Sequence, residues 1–525
     1  MEHLLMSARR DSPGSPRLES YCFSTLEDVD RGSFDHLVVG GGLVGTVMAS
    51  ELLARDPGAR VLVLEQGPFL LPDHVQNLPS TYHSLINRAQ ASPWRVEGDL
   101  SLAPQVPYVG GRALFWSTWT PQPRPEHLRD WPDEVVAGLE DEWEGARELL
   151  GVRSGAFCGH EATSLHRQAG ERLFQGLGTI ADLSVPDTPQ GLDAPLAAGP
   201  GASSAGYRRF SPVPMLLDLL RRYPERLTVV TECEVLRLYE ENGRATAAET
   251  TQGTLHGLED AAVVLAHGTV ETTKVVLSSF PGSRVPLAGR NLNGHVGTWF
   301  TCRVPRAAFP GLPSSYQAAA FYLDGATKTR QFHIDINASA TSDSARDVED
   351  IYRLVPDIFR ADALQQLCDD DHVVLFMHGI GEVAGERGPR APGRVRLDES
   401  GGTVVTTHLD AEDARMWDAM DDAMTELVGT LAQGAPVEFW SPGERRWTTK
   451  GPVEHRQTFL MHECGTLWMG HDAQESVTDL TGRLHAVDNV YLSTSAVFPT
   501  GGSWNPTLTM VAMARRLARH LSRRA

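Results

Sequence analysis

Gly40-Gly41-Gly42-Leu43-Val44-Gly45 fits the pattern G-x-G-x-x-G at Gly40, Gly42 and Gly45. The first glycine permits a tight turn from a strand into a helix. The second lets backbone approach a pyrophosphate, and the third lets helix and strand pack closely. Leu43 and Val44 open the following helix, whose free N–H groups can face phosphate oxygens. Glu65 lies about 20 residues further on, where an acidic side chain binds a ribose hydroxyl. A glycine-rich turn alone is also common in ordinary α/β domains, but here strand, helix and acid agree on dinucleotide binding. The acid disfavours a 2′-phosphate and leaves NAD and FAD both open.

The elements that must hold this turn are legible around it. Residues 34–39 (FDHLVV) read as a buried parallel strand, 44–54 as a helix stopped by Asp56-Pro57-Gly58, and 60–65 as the next strand. Together they make one βαβ unit. Residues 1–30 read as an irregular lead-in, 68–132 as irregular, 133–151 as helical, and 187–206 as a loop or lid. A helix is expected to open at Pro214, with strands at 227–230 and 261–266. Residues 300–450 mix short alternating strands with a helix near 411–432, and an amphipathic helix spans 508–521. The basic run 515–524 reads as the solvated end of that helix, where cations complement the dipole.

Composition excludes several classes. The 525 residues carry 47 basic and 67 acidic side chains, a net charge of −20, which argues against a nucleic-acid partner. No apolar run approaches ~18 residues, so no membrane span is expected, and the charged N-terminus lacks a signal-peptide pattern. The six cysteines form no C-x-x-C pair and no zinc-like spacing, which predicts reduced thiols, no metal and a cytoplasmic location.

The densest chemistry lies near the C-terminus. His462-Glu463-Cys464-Gly465-Thr466-Leu467-Trp468-Met469-Gly470 is followed by Phe498-Pro499-Thr500 and then Asn505-Pro506-Thr507-Leu508-Thr509. This order resembles the glucose–methanol–choline (GMC) family of FAD oxidoreductases. Three internal segments carry the same resemblance: Gly110-Gly111-Arg112 through Trp116-Ser117, Cys233-Glu234-Val235, and Ala266-His267-Gly268 after an apolar strand. A further turn, Gly289-Arg290-Asn291-Leu292-Asn293-Gly294-His295, has Gly294 where the family usually has Asp. Within the family the likeness is nearest to the pyranose oxidase and glycoside oxidase branch.

The resemblance implies an α/β fold: a discontinuous Rossmann-like FAD-binding domain, and an α+β substrate domain built on an antiparallel sheet. The first would comprise residues 30–75, 100–125, 225–300 and 455–525, and the second 126–224 and 300–454. It implies oxidation of a hydroxyl on a sugar or glycoside, with hydride passing to flavin N5, His462 as base and Asn505 as the second active-site residue. It implies cofactor contacts at Gly40, Gly42, Leu43, Val44, Gly45, Glu65, Gly110, Gly111, Arg112, Trp116, Ser117, Cys233, Ala266, Gly268, Asn505, Pro506 and Thr507. The electron acceptor would be oxygen or a quinone-like molecule. Two alternatives stay open: a dehydrogenase of an amino-sugar antibiotic intermediate, and a flavin-retaining lyase of the same family. Asn505 before Pro506 has a structural reading too, because Asn favours the N-cap and Pro the first helical turn.

In residues 331–337 (QFHIDIN), apolar Phe332, Ile334 and Ile336 alternate with His333, Asp335 and Asn337. The period of two puts the polar trio on one face, either the wet side of a sheet or the lining of a polyol pocket. His455, His471 and His485 are expected to be bystanders, and Cys464 a small core residue. Some pyranose oxidases hold FAD through a histidine in the glycine-glycine loop, where this chain has Phe115. Acid precipitation should therefore release free FAD into the supernatant. A yellow pellet that resists extraction would contradict a non-covalent cofactor.

Overall fold

The computed structural model describes residues 22–29, 34–153, 163–200, 207–356 and 361–522. Most of the lead-in at 1–30 lies outside them. In chain order, the elements that frame the site are β1 (His36–Val39), α1 (Leu43–Arg55), β2 (Val61–Leu64), β3 (Leu227–Val230), β4 (Ala262–Leu265), α2 (Thr269–Ser279), β5 (Asn293–Pro305), β6 (Gln317–Ala326), β7 (Gln331–Ala340), β8 (His372–Val383), α3 (Ala411–Ala432), β9 (Arg456–Cys464), β10 (Val490–Leu492) and α4 (Thr507–Ser522).

A five-stranded parallel sheet runs β10-β4-β1-β2-β3. Its strands are continuous apolar runs because both faces are covered, and Leu37, Val38, Val63, Val263 and Val264 are fully buried. Helices α1 and α4 pack on each other within this core, bringing Val47, Met48 and Leu52 together with Val511, Ala514 and Leu517. The sheet therefore draws its strands from the beginning, middle and end of the chain, as a discontinuous Rossmann-like domain requires. The fold is mixed α/β.

The second layer is an antiparallel sheet in the order β6-β7-β8-β5, extended by Glu438–Ser441 and Arg446–Thr448. β9 joins it through β5. Met416, Met420, Met424 and Leu427 of α3 enter one core with Phe332, Ile334 and Ile336 of β7.

Several local expectations change. Leu196–Pro200, inside the expected loop, is a strand between Val152–Arg153 and Tyr207–Arg209; residues 201–206 lie outside the described residues. The helix expected at Pro214 opens at Pro212, where Ser211 caps it by accepting from the Val213 amide at 3.4 Å. The strands of 293–383 are long, 10 to 13 residues, because they pair across a wide sheet. Helices Ser344–Leu354 and Ala361–Leu367 were not foreseen.

The core also redraws the domain segments. β9, grouped by sequence with the FAD-binding segments, pairs into the antiparallel sheet. Val135, Leu139, Trp143 and Leu216, grouped by sequence with the substrate domain, join the core of the parallel sheet. The basic run is not simply solvated. Arg515 pairs with Glu51 and with the fully buried Glu142, and the Arg516 guanidinium donates to the Leu480 carbonyl at 2.6 Å. A buried carboxylate demands a cation, and α4 supplies it.

A Cβ on Gly45 would overlap the carbonyl oxygen of Gly40, whereas one on Gly42 meets nothing within 4 Å. Gly42 has φ −77°, a conformation open to any residue. Gly45→Ala should therefore destabilise the cofactor-free protein by about 1–3 kcal/mol in urea unfolding. Gly42→Ala should leave that stability unchanged while abolishing dinucleotide binding. Equal stability losses in both would show that Gly42 faces packed protein rather than a ligand.

Candidate active site

A cavity of about 700 Å³ lies where the parallel sheet meets the antiparallel one. Its floor is the glycine turn. The Gly40 amide donates to the Leu64 carbonyl at 2.7 Å, and Gly40 takes φ +108°, which glycine adopts without steric cost. Gly42, Leu43 and Val44 line the cavity, while Gly45 stands behind them against Gly40. The side of Gly42 that a Cβ would occupy is open, as a phosphate cradle requires.

Glu65, buried at the end of β2, accepts from the Gly41 amide at 2.7 Å and the Gly67 amide at 2.9 Å. Burial pushes its carboxyl up to about 7, against the lowering effect of those amides. The Cys233 amide donates to the Glu65 carbonyl at 2.8 Å, which holds Cys233 on the cavity wall beside the acid. Gly110, Gly111, Arg112, Trp116 and Ser117 form the opposite rim. That rim is tied to the glycine turn by the Gly110 amide, which donates to the Gly41 carbonyl at 2.9 Å. Ala266 and Gly268 lead into α2, and Asn505, Pro506 and Thr507 lead into α4, so the N-terminal ends of both helices face the cavity. Each brings the positive end of a helix dipole to the space. All the cofactor residues read from sequence, save Gly45, line this one cavity.

His462 lies on β9 with φ +53°, a left-handed conformation that is costly for a non-glycine residue. The β5–β9 register shifts on both sides of His295, so the ladder is irregular here. The His462 Nδ1 is 2.9 Å from the Nδ1 of His295, and its Nε2 makes no hydrogen bond among the described residues. Burial, then the neighbouring His295, His333, His378 and Arg112, hold its basicity well below the usual histidine value. These surroundings favour the neutral imidazole.

Asn505 lines the same cavity. Its Oδ1 is buried and accepts no hydrogen bond, so the side-chain cap expected from an Asn-Pro pair is not made. The helix closes instead through backbone, from the Met510 amide to the Pro506 carbonyl at 2.9 Å. That leaves the amide oxygen free for a ligand.

The trio His333, Asp335 and Asn337 does not line the cavity and is not a wet face. All three are buried, because β7 lies inside the sheet between β6 and β8. His333 stacks on Tyr322 at 4.8 Å between ring centres, and Asp335 lies 3.7 Å from His333 and 3.9 Å from His378. It is His378, on β8, that reaches the cavity, with Trp299 edge-on at 4.7 Å. Trp119, Trp299, His378 and Phe459 on the wall, and His295 behind His462, were not foreseen; each lies on a strand or loop whose partner is distant in sequence. His455, His471 and His485 lie off the cavity, and Cys464 is a core thiol donating to Asn293 Oδ1 at 2.6 Å. The five described cysteines are free, and no cluster among the described residues could hold a metal. Among the described residues, no helix is long and apolar enough to cross a membrane.

The raised Glu65 carboxyl has a consequence for stability. The native side chain keeps its proton between about 4.5 and about 7, where the unfolded chain has lost it. Raising pH through that window therefore works against the cofactor-free fold, with no penalty below it and the full penalty above. Urea midpoints at about pH 5 and about pH 8 should show wild type losing ground to Glu65→Gln as pH rises. A pH-independent difference would mean that Glu65 ionises normally.

Comparison with known proteins agrees with this geometry. The GMC oxidoreductase family model matches residues 389–514. Paromamine 6′-oxidase of Streptomyces fradiae is 25% identical over 94% of this chain and 92% of its own. Pyranose 2-oxidase of Tricholoma matsutake is 30% identical over 21% of this chain and 17% of its own. The crystal structure of pyridoxine 4-oxidase from Mesorbium loti superposes with a TM-score of 0.60 at 18% identity, covering 93% of this chain and 99% of that one. The cradle, the buried acid, the histidine and the ordered C-terminal motif thus sit in a chain that is similar to the GMC oxidoreductases, enzymes named as oxidases and dehydrogenases of alcohol groups, with the family match lying over its C-terminal quarter.

Proposed function

We propose that the protein oxidises a hydroxyl group on a sugar-like polyol, with FAD held non-covalently and His462 as the base. The observation that carries this reading is the shared cavity. His462 with an unclaimed Nε2, and Asn505 with an unpaired buried Oδ1, open into the same space as the glycine cradle.

Gly40, Gly42, Leu43 and Val44 would hold the pyrophosphate, Glu65 a ribose hydroxyl, and Cys233 the adenine side. The Gly110–Ser117 rim and the start of α4 would hold the ring end. FAD, when bound, would supply the acceptor for the hydride of the alcohol carbon, which carries both electrons of the oxidation. The chain supplies the rest. Neutral His462 takes the hydroxyl proton at Nε2. Asn505 cannot titrate, so it orients and polarises the same oxygen. The N-terminal end of α4 favours negative charge at the ring end of the cavity. Trp116, Trp119, Trp299 and Phe459 line the walls, where flat aromatic faces suit the apolar face of a sugar ring.

A narrower reading is an amino-sugar glycoside. The similarity to paromamine 6′-oxidase, which extends over nearly the whole chain, favours it. Anaerobic bleaching of the flavin band against free sugars, glycosides and amino sugars decides between them. Bleaching by amino-sugar glycosides alone selects the narrower reading. An unbleached flavin with every alcohol tested would favour the lyase alternative. Reoxidation by air against a quinone then separates oxidase from dehydrogenase. His462→Ala should slow bleaching by about 10²–10⁴-fold with FAD still bound; a wild-type rate would remove His462 from the role of base.

A further inference from the structure

His295 and His462 meet edge-on, with ring centres 5.1 Å apart and ring planes at 79°. The contact joins Nδ1 to Nδ1 at 2.9 Å. Two neutral imidazoles can make that bond in one of two ways, because one Nδ1 must carry the proton and the other must offer its lone pair. The choice decides whether His462 can act. If His462 donates, its Nε2 is bare and can take a proton. If His462 accepts, its Nε2 already carries hydrogen and it is no base.

The surroundings of His295 break the tie. Its Nε2 is buried with no full hydrogen bond, and a Cβ on Gly501 would stand 3.8 Å from it, so the Gly501–Gly502 backbone lies on the Nε2 side of the ring. Burial lowers the basicity of His295 most, while the Gly502 and Gly501 backbone groups work the other way, as acceptors of a ring N–H; with Nδ1 facing His462, the nitrogen they can receive from is Nε2. A proton on Nε2 leaves the His295 Nδ1 as acceptor. His462 must then be the Nδ1–H tautomer, with its Nε2 lone pair free. The backbone agrees with a built arrangement, since the left-handed turn at His462 and the register shifts beside His295 bring the two rings together. The other charged or titratable groups facing the pair are His333 from β7, His378 from β8 and Arg112 from the rim, with Glu463 already paired to Arg112 at 2.8 Å. Neither ring has a carboxylate partner among these contacts, so the orienting group is another imidazole.

We infer that His295 is a positioning residue that fixes His462 in its reactive tautomer by accepting the Nδ1–H bond. The inference rests on His462 being the base. The step balances simply. The substrate hydroxyl proton passes to His462 Nε2, and the imidazolium so formed keeps its Nδ1–H directed at the His295 lone pair, a bond that strengthens once the donor is charged.

The test uses FAD-bound protein labelled with ¹⁵N-histidine, with His462→Gln and His295→Leu assigning the two rings. His462 should show a protonated Nδ1 and a bare Nε2, and His295 the reverse. The opposite pattern overturns the inference whether or not His462 is the base. In His295→Leu, His462 should become a mixture of tautomers. With paromamine and D-glucose as probes, His295→Leu should bleach about 10- to 100-fold more slowly than wild type at unchanged FAD content. His295→Asn, whose Oδ1 can accept in place of Nδ1, should recover most of that loss. Equal losses in Leu and Asn, with the His462 tautomer unmoved, would reduce His295 to packing. The expected tautomers together with a wild-type rate in His462→Ala would sink the base reading alone.

Discussion

The site hangs on the residue next to the histidine. Glu463 is almost fully buried, and its carboxylate meets the Arg112 guanidinium at 2.8 Å. Its carbonyl oxygen accepts from Thr269 Oγ1 at 2.7 Å and Ser495 Oγ at 3.0 Å. One residue therefore ties β9 to the glycine-glycine rim, to the start of α2 and to the turn after β10. A buried carboxylate stripped of its cation costs several kcal/mol, so these elements cannot separate cheaply. Arg112 is in turn held by the Ala103 and Pro104 carbonyls, both at 3.0 Å. The junction of the two sheets is thus cross-tied at the residue beside His462.

Around that junction the two sheets divide the work. The parallel sheet presents strand ends, glycines and helix N-termini, all backbone features suited to a phosphate-bearing ligand. The antiparallel sheet presents side chains: His295 from β5, His378 from β8 and His462 from β9. Its interior is unusually polar for a layer so deeply buried, with His333, Asp335 and Asn337 behind His378. Of these, His333, like His378, lowers the basicity of His462 from a distance. The trio acts as backing rather than wall.

Much of the cofactor half was legible because its signal is local. A glycine turn, an acid at the end of the next strand and an Asn-Pro helix start each need only a few neighbouring residues to be read. Gly45, expected among the cofactor contacts, instead stands behind the turn against Gly40, where the close approach of helix to strand requires a glycine. The substrate half was less legible. The period of two in residues 331–337 was correct, but its meaning was not, because alternation reports which residues share a face and not what covers that face. β7 is interior to its sheet, and only the long-range pairing with β6 and β8 shows it.

Sequence alone pointed to the GMC resemblance, to a dinucleotide cradle and to His462 and Asn505 as candidates for the chemistry, because ordered motifs record which groups a shared reaction needs. Tertiary structure decided which groups surround them. It withdrew the 331–337 trio from the cavity, made the basic end of α4 a partner for buried Glu51 and Glu142, and left Asn505 uncapped and open. It also set His295 against His462 across a distorted strand pair. Those outcomes depend on pairing between segments far apart in the chain, and on a left-handed turn at a non-glycine residue that no local propensity would choose.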